Sequence, residues 1–291
     1  MKVLAVDIGG TKLAVAVVDD DARLSFRSST PTPRGDDPEY LFATLAALIS
    51  PIPLADVAAC GVGSGGPMRG HGELVSPLNI PAWRDFPLRR RLAELTGLPS
   101  YVDNDAKALA LGEGWQGAAA GVQDYLAMVV STGVGGGIVL DGRLLDGADG
   151  NAGHIGHVIV VPGGRRCACG AYGCLEAEAS GTSIAAITGQ PAAAAGPDLI
   201  ARTGQLVGQA VASVANLLDL RLAVVAGSVA LGYGEPFFAA AQAEIDRLAR
   251  LSFSLGTRIV RGGLGADGPL VGAAAVGRRG LDPSTVYRTS H

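Results

Sequence analysis

The chain has 291 residues, 48 % of them hydrophobic and 17 % charged, with a formal net charge of −4. That length has room for two domains, and that composition excludes a disordered acidic or basic chain. The Arg-rich run Pro87–Leu95 reads as the solvated face of a helix with no wider basic patch around it, so no nucleic-acid partner is expected.

In chain order, the β-branched runs Val3–Val6 and Leu13–Val18 predict two strands joined by the glycine turn DIGGTK. Asp19–Ala22 is the next turn, and a third strand follows. DPEYLFATLAALISP predicts a helix opened near Asp36 or Asp37 and stopped by Pro51. DVAACGVGSGGP predicts a buried strand ending in glycines, and LRRRLAELTG a helix with Gly97 as its stop. PSYVDNDAKALALGEGWQGAA predicts a short strand, a polar turn at Asp103–Asp105 and a helix. The pattern then restarts. DYLAMVVSTGVGGGIVLDGRLL is again strand, glycine turn, strand, and it echoes residues 2–24 closely enough to predict a structural duplication. A Cys/His-rich stretch follows, then helices at Pro197–Leu218 and Pro236–Arg250 separated by the strand LAVVAGS, and a last helix in GPLVGAAAVGRR. Thr188–Gly196, rich in Ala and Gly, reads as a surface loop. The expected domains are 1–106, with a C-terminal helix of about 270–291 packed back on it, and 107–269. MKVLAVDIGG reads as a strand rather than a signal peptide, and no run of about 18 apolar residues offers a membrane span. A cytoplasmic protein with no membrane partner is expected.

The 43 glycines cluster between apolar runs, where tight turns bring backbone close to something. DIGGTK is neither a P-loop nor G-x-G-x-x-G. Its chemistry is comparable: Gly9 and Gly10 leave backbone N–H groups bare to a phosphate, and Thr11 and Lys12 add a hydroxyl and a cation. STGVGGG offers a second set of donors. One such hairpin reads equally as a tight turn; two, each opening an α/β domain, point to a nucleotide held between domains.

Three of the four cysteines, Cys167, Cys169 and Cys174, and two of the four histidines, His154 and His157, fall between Gly153 and Glu176. In a reducing compartment such a cluster points to a metal before disulfides. Three thiolates and the imidazole of His157 complete a closed tetrahedral zinc site, which makes the metal structural. The plainer reading is ordinary buried cysteines, which is the reading given to Cys60. In VDNDAKALA, Asp105 sits between a strand and a helix start. It is either a rigidly held general base or, with Asp103 and Asn104, part of a helix cap.

Taken in order, DIGGTK, STGVGGG, AVVAGS and HIGH…CACGAYGCLE resemble the two phosphate motifs, the adenosine-binding strand and the zinc motif of the ROK family (repressors, open reading frames, kinases). The resemblance covers nearly the whole chain. It implies a two-domain α/β fold of the actin/hexokinase-like, ribonuclease H-like kind with an interdomain cleft, and ATP-dependent phosphorylation of a hexose at its 6-hydroxyl. It implies Asp105 as the catalytic base. The sugar would be bound by Gly66, Asn79, Asn104, Asp105, His154, His157 and Glu176. The nucleotide and its Mg²⁺ would be bound by Asp7, Gly9, Gly10, Thr11, Lys12, Thr132, Gly133, Gly227 and Ser228. A structural Zn²⁺ would sit on His157, Cys167, Cys169 and Cys174, with the other ring nitrogen of His157 turned to the sugar. A homodimer is the family habit. Trp83 reads as a sugar platform or as a core residue.

One position departs from the family pattern. Where the family reads E-x-G-H, this chain reads His154-Ile155-Gly156-His157. Bacterial N-acetylmannosamine kinases of the family carry histidine there, whereas SPLNIPAWRDFPL looks more like the glucokinase branch. The leading expectation is a glucokinase-like activity, with an N-acetylmannosamine kinase as the alternative and a non-catalytic sugar-binding regulator as a further one. Repressors of the family carry a winged helix-turn-helix ahead of the first phosphate motif. With that motif opening at Asp7, no such domain is expected.

Overall fold

The computed structural model describes residues 1–283. The last eight residues of the expected C-terminal helix, 284–291, lie outside the described residues. The chain forms two α/β units. The first comprises Met1–Gly121, Leu144–Ala152 and the described residues from Leu264 onward; the second comprises Val122–Arg143 and Gly153–Gly263.

The first unit contains β1 (Lys2–Ile8), β2 (Lys12–Val18), β3 (Leu24–Pro31), α1 (Pro38–Ile49), β4 (Val57–Ser64), the short strands β5 (Met68–Arg69) and β6 (Leu74–Val75), α2 (Leu88–Thr96), β7 (Ser100–Asn104) and α3 (Asp105–Gln116). Its main sheet runs β3-β2-β1-β4-β7. β1 is antiparallel to β2 and β2 to β3, while β4 is parallel to both β1 and β7. β1, β2 and β4 are buried on both faces, which is why these strands read as nearly continuous apolar runs, while the edge strand β3 is largely exposed. Leu4, Val6 and Ile8 of β1 face a core shared with Leu41 and Leu45 of α1 and Leu88 and Leu92 of α2. Val3 and Ala5 face Leu270, Ala273 and Ala274 of the last helix. α3 packs along that helix, so the first unit runs on to Gly121 rather than ending near residue 106.

The second unit, with the segment that leaves it, adds β8 (Tyr125–Val130), β9 (Val134–Leu140), β10 (Arg143–Leu144), α4 (Leu175–Ala179), α5 (Gly181–Thr188), α6 (Pro197–Leu218), β11 (Leu222–Ala226), α7 (Ser228–Tyr233), α8 (Glu235–Leu248) and β12 (Arg258–Arg261). The last helix, α9 (Gly268–Leu281), returns to the first unit. The second sheet runs β10-β9-β8-β11-β12, with β8 antiparallel to β9 and β11 parallel to β8 and β12. Strand for strand this repeats the first sheet, as the duplicated sequence pattern predicts, and the repeated order is the ribonuclease H-like one. Its core joins Leu126, Met128 and Val130 to Val207 and Val211 of α6 and Phe237 and Ala241 of α8. The short helices α4, α5 and α7 and strand β12 have no counterpart in the pattern read from sequence. One 3₁₀ turn, Ala192–Ala194, lies within the Thr188–Gly196 loop.

Candidate functional site

In the first unit, strand register assembles the polar residues. Asp7, Gly63 and Asp103 form one row across β1, β4 and β7, and Ile8, Ser64 and Asn104 form the next. The carboxyl ends of these parallel strands therefore open together, where α/β sheets hold their ligands. No turn separates β7 from α3. Asn104 ends the strand and caps the helix, its side-chain oxygen accepting from the Ala106 N–H at 3.0 Å. Asp105 begins the helix, also accepts from Ala106 N–H at 2.8 Å, and is exposed. The capping reading thus holds for Asn104, and the Asp105 carboxylate stands at the same strand–helix junction.

Burial and then the Asp105 carboxylate push Asp7 up to about 7, against the opposing pull of Lys12. Two carboxylates in one such corner favour a cation beside them. The β1–β2 turn corrects one expectation. The N–H of Gly9 is spent inside the turn, donating to the Lys12 carbonyl at 3.0 Å, so the donors left for an anion begin at Gly10. A Cβ on Gly10 would lie 2.6 Å from Cβ of Asn79, so the turn and the Asn79 loop touch at a residue that must be small. A Cβ on Gly66 would lie 3.3 Å from Nδ2 of Asn104. Trp83 is no sugar platform. It is 0 % exposed, stacks on Phe86 at 4.5 Å and donates to the Pro38 carbonyl. Cys60 is core, and burial pushes its thiol up to about 12.

In the second unit, the two glycine turns that follow β8 and β11 sit side by side. The Ser131 and Ser228 hydroxyls are 2.9 Å apart. Gly227 holds a φ of 100°, and a Cβ there would meet the Val130 carbonyl at 2.4 Å, so only glycine closes this junction. The carbonyl of Thr132 is held by the N–H and hydroxyl of Thr182 at the start of α5. Glu176, in the first turn of α4, accepts from the Val134 N–H beside Gly133 at 2.9 Å. The rings of His154 and His157 stack with centroids 5.9 Å apart.

The ligand atoms of His157, Cys167, Cys169 and Cys174 all lie within 4.8 Å of one another. Sγ of Cys167 is 3.6 Å from Nδ1 of His157, and Sγ of Cys169 is 3.7 Å from Sγ of Cys174. A zinc tetrahedron with Zn–S bonds near 2.3 Å has edges of about 3.8 Å, so the cluster fits that ion. Burial and the two neighbouring thiols push Cys174 up to about 12, so three thiolates here need a dication beside them. Nδ1 faces the cysteines, which leaves Nε2 of His157 for another partner.

Two groups of residues around these positions escaped the sequence reading. Glu178 is 1 % exposed; it accepts from the Arg165 N–H at 2.7 Å and from the Arg165 and Arg202 guanidiniums at 2.9 and 2.8 Å. It thereby anchors the segment entering Cys167. Buried Lys107 and Asp103 form an ion cluster with the half-buried Asp146 and Arg279, next to Asn104. In both cases the sole sequence signal is a charged residue inside an otherwise apolar helix face.

Residues 3–279 match the ROK family. The chain is 41 % identical over 249 residues to an N-acetylmannosamine kinase of Citrobacter koseri, an alignment covering 80 % of this chain and 86 % of that one. It matches the crystal structure of a ROK hexokinase from Thermus thermophilus with a TM-score of 0.85 at 34 % identity, covering 97 % of this chain and 100 % of that one. It also matches a ROK family glucokinase from Streptomyces griseus, solved in complex with glucose and AMPPNP, with a TM-score of 0.82 at 30 % identity, covering 96 % and 100 %. The chain belongs to the ROK family.

Proposed function

We propose that this ROK-family sugar kinase transfers the γ-phosphoryl group of ATP to the 6-hydroxyl of N-acetylmannosamine. The observation that carries the choice of sugar is the 41 % identity to an N-acetylmannosamine kinase across four-fifths of the chain, against 30 % to the glucose-bound glucokinase. The glucokinase-like reading that leads from sequence becomes the second one. His154 supports the same choice. A neutral imidazole both accepts and donates, so it can give a hydrogen bond to an acetamido carbonyl, which a carboxylate cannot.

In this reading Asp105 takes the proton of the 6-hydroxyl as the new O–P bond forms and the bond from Pγ to the bridging oxygen of ADP breaks. Asn104, fixed as the cap of α3, would hold neighbouring hydroxyls together with Gly66 and Asn79, and His154, His157 and Glu176 are the sugar ligands that family membership implies for the second unit. The turns at Gly10–Lys12, Thr132–Gly133 and Gly227–Ser228 hold the nucleotide. Gly9 shapes the first of these turns rather than donating from it. Asp7 would hold Mg²⁺ through water, and that ion, when bound, would offset the triphosphate charge. Zn²⁺ on His157, Cys167, Cys169 and Cys174 would pin a glycine-rich loop that has little core of its own.

The four cysteines are unpaired, and a cytoplasmic location goes with this reading. No helix among the described residues is long and apolar enough to cross a membrane. A homodimer goes with this reading and is checked by sedimentation.

The test is ADP release measured with N-acetylmannosamine, glucose, mannose and N-acetylglucosamine. The proposal expects kcat/KM to be highest for N-acetylmannosamine, by at least about tenfold over glucose, the worth of one polar interaction. A higher value for glucose restores the glucokinase reading. No turnover with any sugar leaves a sugar-binding regulator.

A further inference from the structure

Three parts of the first unit meet on one buried ammonium. Lys107, in the first turn of α3, is 2 % exposed. Its Nζ lies 2.9 Å from Oδ1 of Asp103, 2.9 Å from Oδ1 of Asp146 and 2.9 Å from the Gly150 carbonyl. An ammonium has three hydrogens, and here all three are used. Arg279 of α9 completes the cluster, 2.6 Å from Oδ2 of Asp146 and 3.5 Å from Oδ2 of Asp103. Two cations and two carboxylates balance.

Each partner of Lys107 leads toward a residue of the proposed site. Asp103 immediately precedes Asn104 and accepts its N–H at 2.8 Å. Asp146 and Gly150 lie in the 144–152 segment, which a third residue also fastens, Asn151 pairing with both backbone groups of Met68 at 3.3 and 3.1 Å. Two residues beyond Ala152 comes His154. A cavity of about 220 Å³, lined by His71, Arg89 and Tyr101 among others, borders the cluster, so the segment has room to shift once the ammonium is gone. An ion cluster built on a buried ammonium is a poor way to gain stability, because well-packed apolar side chains do as well or better. It is a good way to specify one geometry.

We propose that Lys107 is a positioning residue of the sugar site. Through Asp103 its ammonium fixes the Asn104–Asp105 junction, and through Asp146 and Gly150 it ties that junction to the 144–152 segment of the same unit. This rests on the sugar-kinase reading above.

Three variants test it, with N-acetylmannosamine and glucose as the sugars. Lys107→Met should raise the sugar KM about tenfold, the scale of a small misplacement in a binding site, and leave the ATP KM within about twofold. It should also lower Tm, because Asp146 loses a partner. The double variant Lys107→Met/Asp146→Leu removes that stranded charge, and Asp103 keeps Arg279. It should recover Tm while the sugar KM stays raised. If the sugar KM recovers along with Tm, or never rises, the ammonium is merely structural and the inference is overturned. Should Lys107→Met fail to fold, the double variant is compared with wild type on the same two readouts. Asp105→Asn separates the two failures. Where neither wild type nor any variant releases ADP with either sugar, the kinase reading fails and this inference with it. A wild type that turns over, an Asp105→Asn that does not, and a wild-type sugar KM in the Lys107 variants sink this inference alone.

Discussion

Oε2 of Glu176 accepts a hydrogen bond from the backbone N–H of Val134 at 2.9 Å. Val134 opens β9 just after the Thr132–Gly133 turn, and Glu176 stands two residues beyond Cys174. One carboxylate thus ties the cysteine loop to the glycine turn inside the second unit. Glu176→Ala should raise the KM for both sugar and ATP, because it removes a sugar ligand and loosens the turn. Glu176→Gln keeps an oxygen for Val134. It should bring the ATP KM back to near wild type and leave the sugar KM raised, since an amide offers one acceptor where the carboxylate offers two. Equal KM values for ATP in the two variants would break the link between the loop and the turn.

The cysteine cluster predicts one Zn²⁺ per chain in protein purified without chelator. A strong chelator, or Cys167→Ser, should lower Tm and sugar affinity together, because the proposed metal ligand His157 also faces the sugar in this reading. Elemental analysis paired with a sugar titration checks it. Absence of zinc, or a fall in Tm with unchanged sugar affinity, would separate the cluster from the sugar site.

Much of this arrangement is legible in the sequence. The β1–β2 and β8–β9 hairpins announce themselves, since β-branched runs flank clustered glycines, and their repetition predicts the duplicated sheets. The junction at Asn104 is misread as a turn because three polar residues in a row suggest one. In fact Asn104 both ends β7 and caps α3, so no residue is spent on a connection. Lys107 and Glu178 are illegible for another reason. Their partners Asp146 and Arg202 lie 39 and 24 residues away, and only the folded chain brings those charges together. Trp83 could be placed only once its indole N–H was seen on the Pro38 carbonyl.

His154 should read the sugar. His154→Glu should shift the ratio of kcat/KM toward glucose over N-acetylmannosamine by about tenfold, close to 1.4 kcal/mol, the size of a single polar interaction. Steady-state kinetics on both sugars with both proteins decides it. An unchanged ratio would move specificity elsewhere.

Glu178 gives a pH signature. Its burial alone would raise its pKa, but the Arg165 N–H and the Arg202 and Arg165 guanidiniums outweigh that and hold it below the ordinary value. A group lowered in the folded state contributes stability that is complete above the unfolded value, about 4.3, and is lost as the pH falls through the folded value. Glu178→Gln should therefore cost about 2 kcal/mol near pH 7. The gap from wild type should narrow as the pH falls below about 4. Urea melts from pH 3 to pH 7 measure this; a gap that stays constant across the range would mean that the charge of Glu178 does not anchor the loop.

Asp105 carries the central claim. Asp105→Asn keeps the size and the cap of α3 and removes the base. With N-acetylmannosamine as acceptor, kcat should fall by at least about 10²-fold, the scale for loss of a general base, while the sugar Kd stays within a few-fold of wild type by calorimetry. A variant that releases ADP at the wild-type rate would contradict the assignment of Asp105 as the base.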